Sequence, residues 1–591
     1  MPTQSLSAHE RPALLSKARE QLFDLIVIGG GITGAGIAFD AASRGLSVLL
    51  VEMQDFGAGT SSRSTKLIHG GLRYLKQFEI GLVREVGQER AILHQNAPHI
   101  VHPQKMLLPI IEQGSLGKYS TSMGLFVYDL LAGVNVSEWR TMHDKTQTIH
   151  LEPLLREDIL VGGGLYVEYL SDDARLVIEV MKTAAKFGAI CLNYIEATGF
   201  SYNENRKVNG VKLKDKATEE AFTASSKIVV NAAGPWVDKV RSHDHSITGK
   251  HLRLTKGVHI VVSYKRFPLQ QSIYFDVKDG RMIFAIPRQG MVYIGTTDTF
   301  YDAAPERPEA TLADVQYIID ATNALFPDIH LSTDDVCSTW AGLRPLIYQT
   351  GKKASELSRK DEIFYSPGGI ISIAGGKLTG FRKMAERTVD VVVKELYKAE
   401  DRAVEPCITD QIKLSGGNFA TPEDLPQYIE TLIETLAPKG IDAEQVRDWT
   451  SKYGKNAEAI AQIFDEKGAE WKRRSLPEKC LLAELHYGIR HEMVCTLSDF
   501  LIRRTGRLYF ERPQLAQIYP FLHKEMAKIF KWNTKQKAAI LQEFEQEYHA
   551  VMSFSQQTDA KETTAPEGIL SKTSKQVWQL MSKIGGSKEV N

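Results

Sequence analysis

Cysteine is scarce. The 591 residues hold five (Cys191, Cys337, Cys407, Cys480 and Cys495), scattered and without a C-x-x-C pair. That excludes a disulfide framework, a thioredoxin-like redox pair and a cysteine-rich zinc site. A charge excess is lacking too: Lys+Arg and Asp+Glu both number 72, so the formal net charge is zero. No global basic surface is available for nucleic acid. Long hydrophobic runs are absent. Stretches such as VLLV at 48–51 and HIVV at 259–262 fall far below the roughly 20 residues that cross a bilayer. Residues 1–21 lack the apolar stretch of a signal peptide. The 16 histidines show no H-E-x-x-H arrangement and no paired Cys/His spacing, so no metal site is expected. No solenoid-type repeat is found. The expectation is a reduced, cytoplasmic, soluble chain, with which peripheral membrane contact remains compatible.

What is present is ordinary globular usage, 43% hydrophobic and 24% charged, at a length that suits several domains. The informative stretch is FDLIVIGGGITGAGIAFDAASRGLSVLLVE, residues 23–52. Residues 23–28 form an apolar run suited to a parallel strand buried on both faces. Ile32 to Arg44 is rich in small residues and reads as a helix, with Gly45 placed to end it. Residues 47–51 give the second strand. The unit is βαβ, with a right-handed crossover expected. KIVVNAAGPW at 227–236 is a further strand, and HIVVSY at 259–264 and MVYIGTTD at 291–298 read as sheet segments of another region. GIISIAGGKLTGFRKMAERTVDVVVKELY at 369–397 is again strand, glycine turn and long helix.

Gly29, Gly31 and Gly34 give G-x-G-x-x-G, and Glu52 ends the second strand. This is the context of a dinucleotide fingerprint. Gly29 allows the tight turn, Gly31 lets the backbone approach a pyrophosphate, and Gly34 lets helix and strand pack closely. The helix N-terminus presents N–H groups and a positive dipole end to the phosphates. Glu52 suits ribose hydroxyls and repels a 2′-phosphate, which favours FAD or NAD over NADP. The following loop carries Thr60, Ser61, Ser62, Ser64, Thr65, Lys66 and the paired glycines 70–71. Its polarity suits a second phosphate and a ribityl chain, but composition alone does not decide between FAD and NAD.

GTSSRSTKLIHGGLRYL, NAAGPW, KGVHIVV, IGTTD, GLRPL and GGKLTGFRK follow the glycine motif in this order. In this order and wording the chain resembles the FAD-dependent (aerobic, respiratory) glycerol-3-phosphate dehydrogenase family, within the wider group of glycine and D-amino-acid oxidase-like flavoproteins. The resemblance covers about residues 22–390 well and extends through the helical text to about 550. It implies a Rossmann-like α/β FAD-binding domain, an interleaved α+β substrate-binding domain and an α-helical C-terminal domain. The expected division is a tail at 1–21, an FAD-binding domain from 22–105 with 155–255 and 340–400, and a substrate-binding domain from 106–154 with 256–339. A helical domain at 410–550 and a linker and tail at 553–591 complete it.

The implied reaction is oxidation of sn-glycerol 3-phosphate to dihydroxyacetone phosphate, by hydride transfer from C2 to flavin N5 while a base takes the hydroxyl proton. Electrons then pass to a membrane quinone. A sister branch of oxidases passes them to oxygen; those commonly carry a mid-chain insertion that is not evident here. An amino-acid oxidase and a non-catalytic flavoprotein scaffold are the more distant alternatives. The resemblance assigns Arg344 and Arg359 to the substrate phosphate, a dianion for which arginine supplies bidentate geometry. It places Arg73 and Tyr74 near the flavin face and His69 against the ring. His259 is the first candidate base, because an imidazole titrates near working pH. Lys377, Leu378 and Thr379 follow Gly376 at a helix start that faces growing negative charge. Gly234, Ser61, Ser62, Thr60, Lys66, Leu67 and Gly70 complete the expected cofactor contacts, and Asp298 is expected as an acceptor nearby. A homodimer is a family-level expectation. Val577, Leu580, Met581 and Ile584 fall at i, i+3, i+4 and i+7 beside Trp578, with lysines at 572, 575 and 583, the pattern of a short interfacial helix.

Overall fold

The computed structural model describes residues 4–68, 80–112, 114, 139–247, 250–348, 360–398 and 405–554. His69, Gly70, Arg73, Tyr74, Arg359 and the 577–584 segment lie outside the described residues. The glycine unit forms as its pattern dictates. Strand β1 (Leu22–Ile28), helix α2 (Ile32–Ser43) and strand β2 (Val48–Val51) follow in order, with helix α1 (Arg11–Glu20) before them. β1 and β2 pair in parallel, with Ile26 opposite Leu49, and both are apolar because both faces are covered. Gly45 takes the left-handed φ of +86° that lets the chain leave α2.

Among the described residues two large sheets form. The first runs Asp361–Tyr365, Ile371–Gly375, Ala221–Asn231, β1, β2, Ile190–Leu192. Its members from Ile371–Gly375 to Ile190–Leu192 are parallel. The second, with ten strands, holds His102–Ile111, Leu160–Leu170, Leu252–Ser263, Met291–Gly295 and Val336–Ile347. Sheet membership moves the expected domain borders. The Leu160–Leu170 strand, expected with the cofactor domain, pairs antiparallel with His102–Ile111 in the second sheet. The strand Val336–Ile347 belongs there throughout. Residues 1–21, expected as a tail, include α1, which buries Leu14, Leu15 and Ala18. Arg11 of α1 forms a bidentate pair with the buried Asp215 at 2.9 and 3.1 Å. An ion pair spanning 204 positions leaves no local trace in the text.

From 424 to 550 the chain is helical, as expected. Buried charges fasten this domain to the first sheet. Asp55, in the loop after β2, accepts from Arg503 Nε at 2.6 Å, Arg504 Nη1 at 2.7 Å and Nη2 at 2.9 Å, and Asn193 Nδ2 at 3.1 Å. Glu492 receives Arg175 at 2.7 and 2.8 Å. Breaking a buried pair from one side strands the partner's charge. Asp55→Asn is therefore expected to cost about 3–5 kcal/mol, read as a lower midpoint in chemical unfolding; an unchanged midpoint would show the arginines satisfied elsewhere.

His99 sits beside this junction, 2% exposed, with neither ring nitrogen hydrogen-bonded among the described residues. Burial, then Arg175 and Lys182, pull its pKa down to about 3. The native state excludes the proton that the unfolded chain takes up near pH 6.5. His99 thus contributes stability that is present above pH 6.5 and lost as the pH falls below it. His99→Leu is expected to remove about 2 kcal/mol from the stability difference between pH 6.5 and pH 5. Parallel pH profiles for the two proteins would contradict this.

Candidate active site

A cavity lies along the C-terminal ends of β1, β2 and the strands Ala221–Asn231 and Ile371–Gly375. That is where doubly wound sheets bind ligands. Gly29, Gly31, Glu52, Thr60, Ser61, Gly234, Gly376, Lys377 and Leu378 line it. Gly29 has φ of +113°, and a Cβ there would lie 2.5 Å from the Ala232 carbonyl oxygen. A Cβ on Gly34 would lie 1.9 Å from the Gly29 carbonyl oxygen, so this glycine serves the packing of α2 on β1 rather than the cavity wall. Gly31 is the N-cap of α2, and the N–H of Ile32 donates to Ser61 Oγ at 3.1 Å.

Glu52 accepts from the N–H of Gly30 at 2.7 Å and of Gln54 at 2.8 Å. Burial pushes its carboxyl up in spite of these donors. At the opposite wall Lys377 is the N-cap of the short 3₁₀ turn Leu378–Gly380, which leads into the helix Phe381–Leu396. Thr379 is buried in that turn, and Ser62 is buried beneath the loop. The turn-and-helix walls, the N-terminus of α2 at Gly31 and the carboxylate at the end of β2 fit a dinucleotide cofactor lying across the strand ends. Gly29, Gly31, Ser61 and Glu52 would hold its nucleotide half, and Gly376 and Lys377 the other.

His259, Arg344 and Lys66 do not line this cavity. They gather on the second sheet beside it, joined through Thr60, whose Oγ1 donates to the Leu343 carbonyl at 2.6 Å. The strands Leu252–Ser263 and Val336–Ile347 pair antiparallel, with His259 opposite Trp340, Gly257 opposite Gly342 and Thr255 opposite Arg344. Alternate residues share a face, so this face carries an aromatic pair, a glycine pair and the arginine. The glycines make the room. A Cβ on Gly257 would stand 2.3 Å from Arg344 Nη2, and one on Gly342 would stand 2.1 Å from the Arg63 carbonyl oxygen. Arg344 folds into that space, donating from Nη2 to Thr296 Oγ1 at 3.1 Å and pairing through Nη1 with Asp298 at 3.2 Å. The expected acceptor Asp298 is thus the counter-ion of the expected phosphate clamp.

His259 is buried, with Nε2 3.0 Å from Thr65 Oγ1. Its ring stacks on Trp340 at 4.8 Å and 12°, and Trp340 Nε1 donates to the Ser64 carbonyl at 3.0 Å. Burial, then Arg344 and Lys66, push the imidazole well below its ordinary pKa, so it is neutral at working pH. Lys66 is buried, donates to the Ser62 carbonyl at 3.3 Å and lies 5.7 Å from the Trp340 ring centroid. Burial lowers its pKa too, opposed by Asp172. Leu67 is a strand residue paired with Leu170. Trp340 is the residue that motif reading misses, and Thr65 is legible only through the polarity of its loop. The signal for Trp340 is spacing: Trp340, Gly342 and Arg344 alternate along one strand.

The family model described as FAD dependent oxidoreductase matches residues 24–381. The model described as C-terminal domain of alpha-glycerophosphate oxidase matches residues 407–537. The aerobic glycerol-3-phosphate dehydrogenase of Staphylococcus aureus (strain bovine RF122 / ET3-1) is 48% identical over 559 residues, which cover 94% of this chain and 100% of that protein. Among solved structures, the glycerol-3-phosphate dehydrogenase from Bacillus halodurans complexed with FAD is 44% identical with a TM-score of 0.81, covering 94% of this chain and 100% of that chain. L-alpha-glycerophosphate oxidase from Mycoplasma pneumoniae with FAD bound is 16% identical with a TM-score of 0.50, covering 63% of this chain and 95% of that chain, and shares the fold.

Proposed function

Given that the chain belongs to the FAD dependent oxidoreductase family and, within it, stands with the aerobic glycerol-3-phosphate dehydrogenases, we propose that it oxidises sn-glycerol 3-phosphate to dihydroxyacetone phosphate. Its cofactor is FAD, and the electrons pass on to a membrane quinone. The observation that carries the reading is one sheet face holding a buried neutral imidazole four register positions from a guanidinium seated over Gly257. FAD, when bound, supplies the hydride acceptor. His259 takes the hydroxyl proton, because a neutral ring with a depressed pKa has a lone pair available throughout the neutral range. Arg344 holds the phosphate by exchanging Asp298 for the dianion. Lys377 and the turn before the helix Phe381–Leu396 hold positive charge at the cavity wall. Arg73, Tyr74 and His69 are assigned to the flavin face, and Arg359 to the phosphate, on the resemblance alone.

Anaerobic mixing with glycerol 3-phosphate tests this directly. The yellow flavin absorbance is expected to bleach and to return on addition of a quinone. Persistence of the yellow form with substrate in excess would refute the assignment. The match of residues 407–537 to a glycerophosphate oxidase domain favours one second reading, in which oxygen is the acceptor; stoichiometric peroxide under air would select it. Among the described residues no helix is long and apolar enough to cross a membrane. Quinone access is therefore assigned to peripheral contact with the bilayer, to which residues 577–584 are the proposed contributor. Removal of that segment is the matching test: weaker binding to vesicles with unchanged anaerobic flavin reduction supports the assignment.

A further inference from the structure

We propose that Thr65 fixes the tautomer of His259 and is thereby the positioning residue of the proton-accepting imidazole. This rests on the reading of His259 as the base. Thr65 Oγ1 lies 3.0 Å from Nε2. The other nitrogen, Nδ1, is buried and has no hydrogen-bond partner among the described residues. A neutral imidazole carries its hydrogen on one nitrogen and a lone pair on the other. With the hydrogen on Nδ1, a buried N–H is left without an acceptor. With the hydrogen on Nε2, Thr65 Oγ1 accepts it and Nδ1 keeps its lone pair. Either form leaves Nδ1 without a partner, and a stranded buried N–H is tolerated less often than an under-satisfied acceptor, so the second form is the resident one. It is also the competent one. The substrate hydroxyl proton goes to Nδ1, the Nε2 hydrogen stays on Nε2 as the donor to Thr65 Oγ1, and the ring becomes an imidazolium with both nitrogens donating.

The ring has little freedom to exchange its nitrogens. Trp340 stacks on it at 4.8 Å, and Trp340 is itself tied to the Ser64 carbonyl. Ser64 and Thr65 therefore act as adjacent clamps, one on the stacking partner and one on the imidazole. Sequence reading had given Thr65 no role beyond the polarity of its loop.

Thr65→Val keeps the shape and removes the acceptor; Thr65→Ser keeps the hydroxyl. The valine variant is expected to slow anaerobic flavin reduction by glycerol 3-phosphate roughly tenfold or more, with KM little changed and the FAD absorbance retained. The serine variant is expected to restore most of the rate. Valine reducing at the wild-type rate, or serine as slow as valine, overturns the proposal. Should valine lose FAD, Thr65→Ala, which adds no methyl contact, provides the same comparison. The double variant with His259→Ala is expected to be no slower than His259→Ala alone; a further full loss would give Thr65 a role independent of the ring. If His259→Ala itself reduces at the wild-type rate, the base assignment fails. If it is slow while Thr65→Val is fast, the tautomer assignment fails by itself.

Discussion

Replacing Arg344 with alanine is expected to raise the KM for glycerol 3-phosphate by roughly two orders of magnitude while FAD stays bound. Removing one partner of a desolvated charge pair costs about 2–5 kcal/mol, and here two effects add. The guanidinium that would hold the phosphate is gone. The Asp298 carboxylate, whose side chain is 8% exposed and which Arg344 neutralises at 3.2 Å, stays behind facing an incoming dianion. Cofactor retention follows because Arg344 is not in the wall of the dinucleotide cavity. Adding Asp298→Asn to Arg344→Ala is expected to recover part of the loss by removing the repulsion. Steady-state kinetics on the three proteins check both statements, and a single variant with ordinary KM would take Arg344 out of the phosphate site.

Replacing His259 with alanine is expected to slow anaerobic flavin reduction by roughly 10²–10⁴-fold, the usual contribution of a positioned base, with a much smaller effect on KM. The pH dependence has a definite sign. Burial and the cations Arg344 and Lys66 hold the imidazole well below its ordinary pKa. Its protonation therefore does not limit the wild-type rate above pH 6.5, and an acid limb from this group belongs below that pH. Stopped-flow reduction on both sides of pH 6.5 tests both points. Unchanged kinetics in the alanine variant would pass the proton to another residue.

The βαβ start was legible because its determinants are local. Apolar runs fit strands covered on both faces, and Gly34 is required by the nearby Gly29 carbonyl. The clustering of Gly29, Gly31, Glu52, Thr60, Ser61, Gly234 and Lys377 around one cavity followed from motifs that each end a strand or open a helix. What was not legible depends on pairing between distant segments. The Leu160–Leu170 strand carries no mark of the sheet it joins, which is set by its long register with His102–Ile111. Helix α1 falls in text that reads as a tail, and its docking rests on Arg11 and Asp215. Trp340 was invisible as a site residue because its role exists only once His259 stands opposite it. Asp298 was placed near the site from IGTTD, whereas its pairing with Arg344 needed the turn after Met291–Gly295 to reach back over the neighbouring strand.

The pairing of Asp55 with Arg503 and Arg504 spans 448 and 449 positions. Asp55 lies in the same loop as Thr60 and Ser61 of the cofactor cavity. On the ribosome, at about 5–20 residues per second, the partners of that loop emerge tens of seconds after the glycine motif has left the exit tunnel. The nascent first sheet waits through that interval with a carboxylate that has no counter-charge, and a chain truncated before Arg503 never supplies one.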